Sequence, residues 1–403
     1  MSLTPIDTAL DQVIALLPRI SDAEELPLLQ ATGRVLAQDC VSPIDVPGHC
    51  NSAMDGYAVR TADLSDGLPE LRITQRIAAG EVGQPLAAGE AARIFTGAAV
   101  PEGADAVVMQ ENCKVKDSAL QLLQRVEPGE NLRQAGDDIR AGAMTLSAGH
   151  RLRAQDIGLL ASTGMQSVSV VRKLRVCLLT TGDELVQPGT ELAAGQIYNS
   201  NYYTLVSLLE GLQIEVLDGG IVQDDFEGTR RALLDAAAKS DCVITTGGVS
   251  VGEEDHVKAV IEKEGSLQLW KLAIKPGKPL ACGKIAETQF FGLPGNPVSA
   301  FVTFVLFVRP CLQTMVACTH TTPHAFRVGA GFVSEASGQR QEYLRCQLLV
   351  DEQGEQILQP MRNQSSGVAA SLSYADGLAI VPPYTAVAIG DRLEFIPFSE
   401  LTN

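Results

Sequence analysis

The sequence predicts a multidomain α/β protein: a central parallel sheet, preceded by a discontinuous helical domain with a small β insertion and followed by a small β-barrel or sandwich. Three observations carry that reading. Between residues 176 and 299, apolar runs break three times into glycine-bearing loops, VCLLTTGDE, CVITTGGVS and FFGLPGNPVS, with helical patterns between the runs. Buried parallel strands have this form. From residue 51 to about 146 the chain is glycine-rich with short β-type runs, LRITQRI, ARIFTG and AVVMQ. Beyond residue 322 the runs FRVGAGFV, QEYLRCQLLV, LAIVPP and DRLEFIPF are again β-type, without a long helical pattern. A chain of 403 residues also exceeds what one core usually holds.

The elements follow from local signals. Residues 5 to about 36 show helical spacing, with Ala9, Val13, Leu16 and Leu17 on one face and Pro18 ending the first helix. Residues 41–46 turn extended. Helical spacing returns at 154–161 through Ile157, Leu160 and Ala161, ends at Gly164, and leads into the alternating SVSVV strand and the basic RKLR. This stretch is expected to pack back on the amino-terminal helix. The result would be a helical domain of residues 1–46 plus 147–175 around a β domain of 47–146. In the α/β region, 176–322, Asn199 or Ser200 caps a helix that Gly211 closes, IEVLDGG is a strand, and Asp224 caps a helix toward Lys239. After CVITTGG come a helix over about 254–262, a WKLAIK/PLACGK hairpin and the FFG strand. The last helix has Asn296 as cap and Pro297 at its first position, then VSAFVTFVLFV to a stop at Pro310. Residues 323–403 form the terminal β domain.

Composition narrows the function classes. The content of 45% hydrophobic and 20% charged residues is that of a soluble globular protein, but the formal net charge is -17. Such acidity argues against nucleic acid, since the basic run of Arg172, Lys173 and Arg175 is short. The 9 cysteines are odd in number and lack CxxC spacing, against a disulfide framework. The start, MSLTPIDTALDQVIALL, carries Asp7 and Asp11 and lacks the basic head of a secretory leader. No apolar run approaches the roughly 18 residues of a membrane span, so the cytoplasm is the expected location.

Parallel strands deliver their carboxyl ends to one sheet edge, so the three loops converge on one crevice. There Gly247, Gly248 and Gly295 allow close backbone approach, Thr181, Thr246, Ser250 and Ser299 offer hydroxyls, and Asp183 with Glu184 offers carboxylates. The start of the last helix, residues 296–299, adds a positive dipole end suited to phosphate. Asp183, Glu184, Asp224, Asp225 and Asp255 all fall just past predicted strands. An oxygen-only set without Cys or His partners points to Mg²⁺ rather than zinc, although Asp224 and Asp255 read equally as helix caps. Ser250 and Asp255 share one excursion, GVSVGEEDHV. Lys271 and Lys275 lie four apart on a predicted strand, hence on one face, and Lys278 follows a Pro-Gly turn; in so acidic a chain they read as an anion site or as a solvated face. Outside the sheet, PGHCNSAMDGYAVR reads as a tight loop presenting Asp55 beside Gly56 and Tyr57. Arg93, Thr96, Gly97, Asp137 and Asp138 occupy similar polar loops, and composition alone assigns them no function. The five histidines read as structural, and the cysteines as buried apolar residues.

NSAMDGYA at Asn51, TGDE at Thr181, TGGVSVG at Thr246, KPGKP at Lys275 and GLPGNPVS at Gly292, in this order, resemble the molybdopterin molybdenumtransferase family, which includes bacterial MoeA and the gephyrin E-domain. The resemblance runs essentially end to end. It implies an elongated homodimer of four-domain subunits whose central domain is the molybdopterin-binding α/β fold and whose last domain is a β-barrel. The implied activity is insertion of molybdate into adenylylated molybdopterin with release of AMP, using Mg²⁺. A molybdopterin adenylyltransferase and cofactor-accepting enzymes would be its partners. By the same resemblance Asp55, Thr96 and Asp138 of the small domain, and Glu184, Asp224, Asp225, Asp255, Lys271 and Lys275 of the central one, serve a cleft between subunits. The motifs carry Gly182, Lys278, Pro294 and Pro297 into the site as well, and Ser366 in NQSSG matches a loop near that cleft. One departure stands out: Cys50, after His49, replaces the acid usual before the motif's asparagine. Two other activities fit related folds, adenylylation of molybdopterin by ATP and a non-enzymatic scaffold role. The carboxylates at Asp55, Glu184 and Asp255 count against the scaffold.

Overall fold

The computed structural model describes residues 3–64, 67–223, 225–248 and 256–402. Its centre is a six-stranded sheet in the order Glu215–Val222, Arg175–Thr181, Cys242–Thr246, Thr288–Leu293, Pro279–Ile285, Gly265–Lys271. The first four strands are parallel and the last two antiparallel. All five residues of Cys242–Thr246 are buried, because helices cover both faces of the sheet. Ile244 packs with Leu178, Phe291 and Phe304 on one side, and Val243 packs with Leu179, Phe290 and Val260 on the other.

The helix that follows the Thr288–Leu293 strand runs further than its sequence predicts. It comprises Pro297–Thr303, a π-helical stretch Phe304–Val308, and Arg309–Met315, so Pro310 does not stop it. The π stretch falls just before Pro310, where a wider turn accommodates the ring and the missing N–H. The whole of Pro297–Met315 has the length and apolar character of a membrane-crossing helix, contrary to the sequence expectation. Its most apolar window is entirely buried in the protein, as a core helix is.

Around this core the linker departs from a purely helical domain. The first helix is Ile6–Ile14; Ala9 and Val13 are buried, but Leu16 is 70% exposed and lies past its end. Residues Ala23–Pro27 instead form a strand antiparallel to Ser167–Val171, the SVSVV run. Prolines at 18 and 27 prevent one helix from spanning this stretch, and the exposed AEELP has a ready partner in SVSVV. The first helix packs into the central core with Leu272 and Leu312, not on the returning helix Ala154–Ser162, which meets Leu28–Gln30.

Three further local readings change. Asp225, not Asp224, caps Phe226–Lys239 through a bond from the Gly228 amide. Asp224 lies outside the described residues, as do Ser250, Asp255 and the predicted start of the helix at 254; the described helix is His256–Glu264. Lys271 and Lys275 do not share a strand. Lys271 ends Gly265–Lys271, whereas Ile274–Lys275 leaves the central sheet to pair in parallel with Gln341–Val350. The backbone turns between them, with the Leu272 amide donating to the Lys278 carbonyl, so the same-face argument fails.

The carboxyl-terminal strands Gln341–Val350, Gln356–Pro360, Phe326–Ala330, Arg392–Pro397 and Gly377–Val381 pair in that order, and the last pairs with the first. The sheet therefore closes into a five-stranded barrel, filled by Val328, Cys346, Leu358, Ala379 and Phe395. The small β domain is a six-stranded sheet in the order Ala106–Met109, Gly56–Val59, Glu90–Ile94, Leu71–Ile77, Ala119–Leu122, Cys113–Lys116.

At the linker helix, Asp156 is buried and its carboxylate accepts from the Arg153 amide and guanidinium and bonds His150 at 2.8 Å. Burial alone would raise its pKa, but the bonds from Arg153 and His150 outweigh it and lower it from 3.8 to about 2. The stabilisation is therefore present above pH 3.8 and lost as pH falls toward 2. We expect Asp156→Asn to lower unfolding free energy by roughly 2 kcal/mol at neutral pH and by much less near pH 2, as read from urea melts.

Candidate active site

The three strand-end loops surround a cavity of about 690 Å³. Thr181 and Glu184 come from the first loop, Thr246, Gly247 and Gly248 from the second, and Pro294, Gly295, Asn296 and Pro297 from the third. They are tied together at close range. The Gly247 amide donates to the Leu293 carbonyl at 3.1 Å, and Thr246 Oγ1 donates to the Pro294 carbonyl at 3.1 Å. Gly247 has φ +93°, and a Cβ there would lie 2.8 Å from the Thr181 carbonyl oxygen, so only glycine lets the first two loops approach this closely. Gly182, at φ +137°, holds a backbone conformation that L side chains rarely adopt, and the flexible Glu184 carboxylate fills the space beside it.

Sequence reasoning missed the residue that braces this arrangement. Asn201 Nδ2 donates to Thr246 Oγ1 at 2.9 Å and to the Gly295 carbonyl at 2.7 Å, bridging the second and third loops. Its neighbour Asn199 caps the helix Ser200–Gly211 and donates to Thr180 Oγ1 at 2.8 Å. The NSN run was legible as a cap signal; the reach to Gly295 was not. Tyr198 and Ile197 also line the cavity, and from the barrel domain so do Gly367 and Ala369. The barrel loop meets the start of the core helix directly, where the Val298 amide donates to the Ser366 carbonyl at 3.0 Å. Asn296 holds the cap position without a side-chain bond, and Ser366 satisfies the amide instead.

Other candidates stand apart from the cavity lining. Ser299 is buried within the helix. Lys275 is paired with Glu342 at 2.9 Å, and Lys278 lies beside Pro279, which does line the cavity. Lys271 is half-buried at its strand end. Among the described residues no group of three His, Cys, Asp or Glu side chains could hold a metal ion such as Mg²⁺. Asp225 is engaged as a helix cap, and Glu184, beside Asp183, is the carboxylate that lines the cavity. That set cannot make an all-protein cage, but it fits the common Mg²⁺ mode of one or two carboxylates completed by water and substrate phosphates.

In the small domain, Thr96 donates both its amide, at 2.8 Å, and its Oγ1, at 2.9 Å, to Asp55 Oδ1. These bonds, the amide first, with Arg93 nearby, hold the Asp55 carboxyl below its usual pKa. Asp138 lies beside a separate cavity of about 540 Å³ with Asp137 and Arg140. None of Asp55, Thr96 and Asp138 lines the strand-end cavity of the same chain.

Three family descriptions match in succession: MoeA N-terminal region (domain I and II) over residues 4–164, probable molybdopterin binding domain over 177–314, and MoeA C-terminal region (domain IV) over 330–398. The molybdopterin molybdenumtransferase of Haemophilus influenzae is 38% identical over 98% of this chain and 99% of that protein. The chain belongs to the molybdopterin molybdenumtransferase family. Membership makes it a transferase of molybdenum cofactor biosynthesis. The family member from Nostoc is 34% identical over 94% of this chain and 91% of its own length, and gephyrin of Dictyostelium discoideum is 32% identical over 78% of this chain and 50% of its own. Among solved structures, a molybdopterin biosynthesis moeA protein from Pyrococcus horikoshii superposes with TM-score 0.84 at 29% identity, covering 98% of this chain and 100% of that one.

Two outcomes follow from the geometry. Gly247→Ala should cost roughly 1–3 kcal/mol in denaturant unfolding, because alanine is strained at this φ and meets the Thr181 carbonyl. Asp55, whose carboxyl is depressed in the folded state, should titrate closer to 3.8 in Thr96→Val. A ¹³C carboxyl titration reads this directly, and an unchanged midpoint would count against the Thr96 hydroxyl bond as a cause, since the amide bond is kept in this variant.

Proposed function

We propose that this molybdopterin molybdenumtransferase inserts molybdate into adenylylated molybdopterin with release of AMP, assisted by Mg²⁺. The observation that carries the reading is the single cavity, about 690 Å³, onto which all three glycine-bearing loops converge. Its size suits a ligand of nucleotide dimensions. Gly247, Gly248 and Gly295 let backbone approach the phosphates, Thr181 and Thr246 supply hydroxyls, and the helix start at Asn296 and Pro297 presents its positive end. Mg²⁺ bound through Glu184 and Asp183 would neutralise charge on the adenylate phosphates. Water adds to phosphorus of the phosphoanhydride as that P–O bond breaks and AMP leaves, the two pterin thiols bond molybdenum as one molybdate oxygen departs as water, and polar groups fixed in advance favour the charge that develops. Glu184, which lines the cavity, would orient the departing phosphate.

Asp55, Thr96 and Asp138 lie away from this cavity in their own chain, which supports a homodimer in which the small domain of a second copy completes the site. Molybdate would then meet the pterin near that Asp55. A molybdopterin adenylyltransferase would supply the substrate and apoenzymes would take the product, all in the cytoplasm, where nine free thiols are stable.

Purified protein mixed with adenylylated molybdopterin, Mg²⁺ and molybdate should release AMP, and omission of molybdate should suppress it. Asp55→Asn and Glu184→Ala should each abolish release while leaving the melting temperature nearly unchanged. Absence of AMP from the wild type, or ATP consumption with molybdopterin alone, would replace this reading with another.

A further inference from the structure

We propose that Arg93 is a positioning residue for Asp55, one guanidinium clamping the loops that aim this carboxylate. The proposal rests on the reading of Asp55 given above. Asp55 is exposed, and its two side-chain bonds both come from Thr96 and reach only Oδ1. Its direction therefore depends on how firmly the loop carrying Thr96 is held against the loop carrying Asp55.

Arg93 touches both loops. It lies on the strand Glu90–Ile94, directly opposite Tyr57 on one side and Arg76 on the other. Its Nη1 donates to the carbonyl of Gly56, the residue after Asp55, at 2.9 Å. Its Nη2 donates to Gln110 Oε1 at 2.6 Å, and the Gln110 amide in turn donates to the Asp55 carbonyl at 3.1 Å. Its Cζ lies 4.6 Å from the ring centroid of Phe95, the residue before Thr96, and 5.1 Å from that of Tyr57. The backbone carbonyls of Asp55 and Gly56 and the approach to Thr96 thus hang on one planar group. Gly56 adds to the constraint, since a Cβ there would run into the Val108 carbonyl.

Arg76 explains why the clamp sits where it does. Its Cζ is 4.5 Å from the centroid of the same Phe95 ring, although it is paired in register with Arg93. Like charges directly opposite on neighbouring strands are unfavourable, and attraction of both guanidinium groups to the ring offsets part of that cost. Phe95 is thereby held by two cations, and Thr96 follows it. Lysine in place of Arg93 would keep the charge but not the fork, which donates in two directions while stacking on a ring.

The competing account makes Arg93 only a sheet-stabilising side chain, and the two differ in what they move. In full-length protein, Arg93→Lys and Arg93→Gln should both lower kcat for AMP release by on the order of 10²-fold, with KM nearly unchanged, as a small misplacement of a reacting group does. Thr96 amide exchange should be faster in both. Arg93 is the charged side chain that acts on Asp55; Arg76 shares the Phe95 ring with it, and Glu111 accepts from Gln110. Cys113 near Arg93 is pushed by burial to about 11 and stays neutral. The ¹³C midpoint of Asp55 should consequently rise in both variants as the Thr96 bonds loosen, and further in Arg93→Gln, which also removes the charge.

Wild-type kcat in both variants, with Asp55→Asn inactive, overturns the proposal. If Asp55→Asn keeps its activity, the reading of Asp55 fails instead. The clamp is then judged by Thr96 exchange and the Asp55 midpoint, and wild-type values of both in Arg93→Gln would overturn it. Should Arg93→Gln not fold, Phe95→Leu, which removes the ring and spares the guanidinium, should show the same kcat loss and faster Thr96 exchange; wild-type values there also overturn it.

Discussion

Parallel strands can end only at a common edge, and that constraint organises the molecule. Arg175–Thr181, Cys242–Thr246 and Thr288–Leu293 lie side by side and end together. Whatever polar groups follow them must share one volume. Convergence alone would leave three loose loops, each free to move by more than chemistry tolerates. The bonds from Thr246 to Pro294, from Gly247 to Leu293, and from Asn201 to both the second and third loops convert convergence into a fixed wall. Glycine at 247 is the steric condition for the closest of these approaches.

The Pro297–Met315 helix is the second organising element, because it connects the wall to the rest of the chain. Its start meets the barrel through Ser366, its body fills the core with Phe304 and Phe307, and the first helix, Ile6–Ile14, packs against its last segment. The first helix, one face of the central sheet and Tyr343, Leu378 and Ile396 of the barrel therefore share one apolar cluster, although the rest of the linker and the barrel interior also have clusters of their own. The small β domain has no part in it: its cores form separate clusters. It carries its own polar apparatus around Asp55, held by Thr96 and the Arg93 fork, away from the cavity it would serve.

Much of the architecture was legible because it rests on periodicity and on residues with few conformational options. Continuous apolar runs mark buried parallel strands, and alternation such as SVSVV marks a strand with one face covered. Asn296 before Pro297 marks a helix start. Legibility ended where a distant partner decided the outcome. AEELP has weak strand character and forms one only because SVSVV lies beside it. Pro310 should end a helix, yet a π-helical stretch just before it lets the helix run on to Met315. Lys271 and Lys275 looked like one face of one strand, but the chain crosses between sheets from one to the other.

The candidate site divides along the same line. The sequence by itself determined which strand ends carry glycines, hydroxyls and carboxylates, since these follow from local order along the chain and from the single edge of a parallel sheet. Tertiary structure alone decided that Asn201 braces two loops, that Ser366 rather than Asn296 satisfies the Val298 amide, and that Asp225 caps a helix. It also decided that Arg93 joins Gly56, Gln110 and Phe95. The physical reason is that a hydrogen bond has a reach of about 3 Å and a direction. Residues far apart in the chain meet those conditions only once the backbone that carries them has been placed.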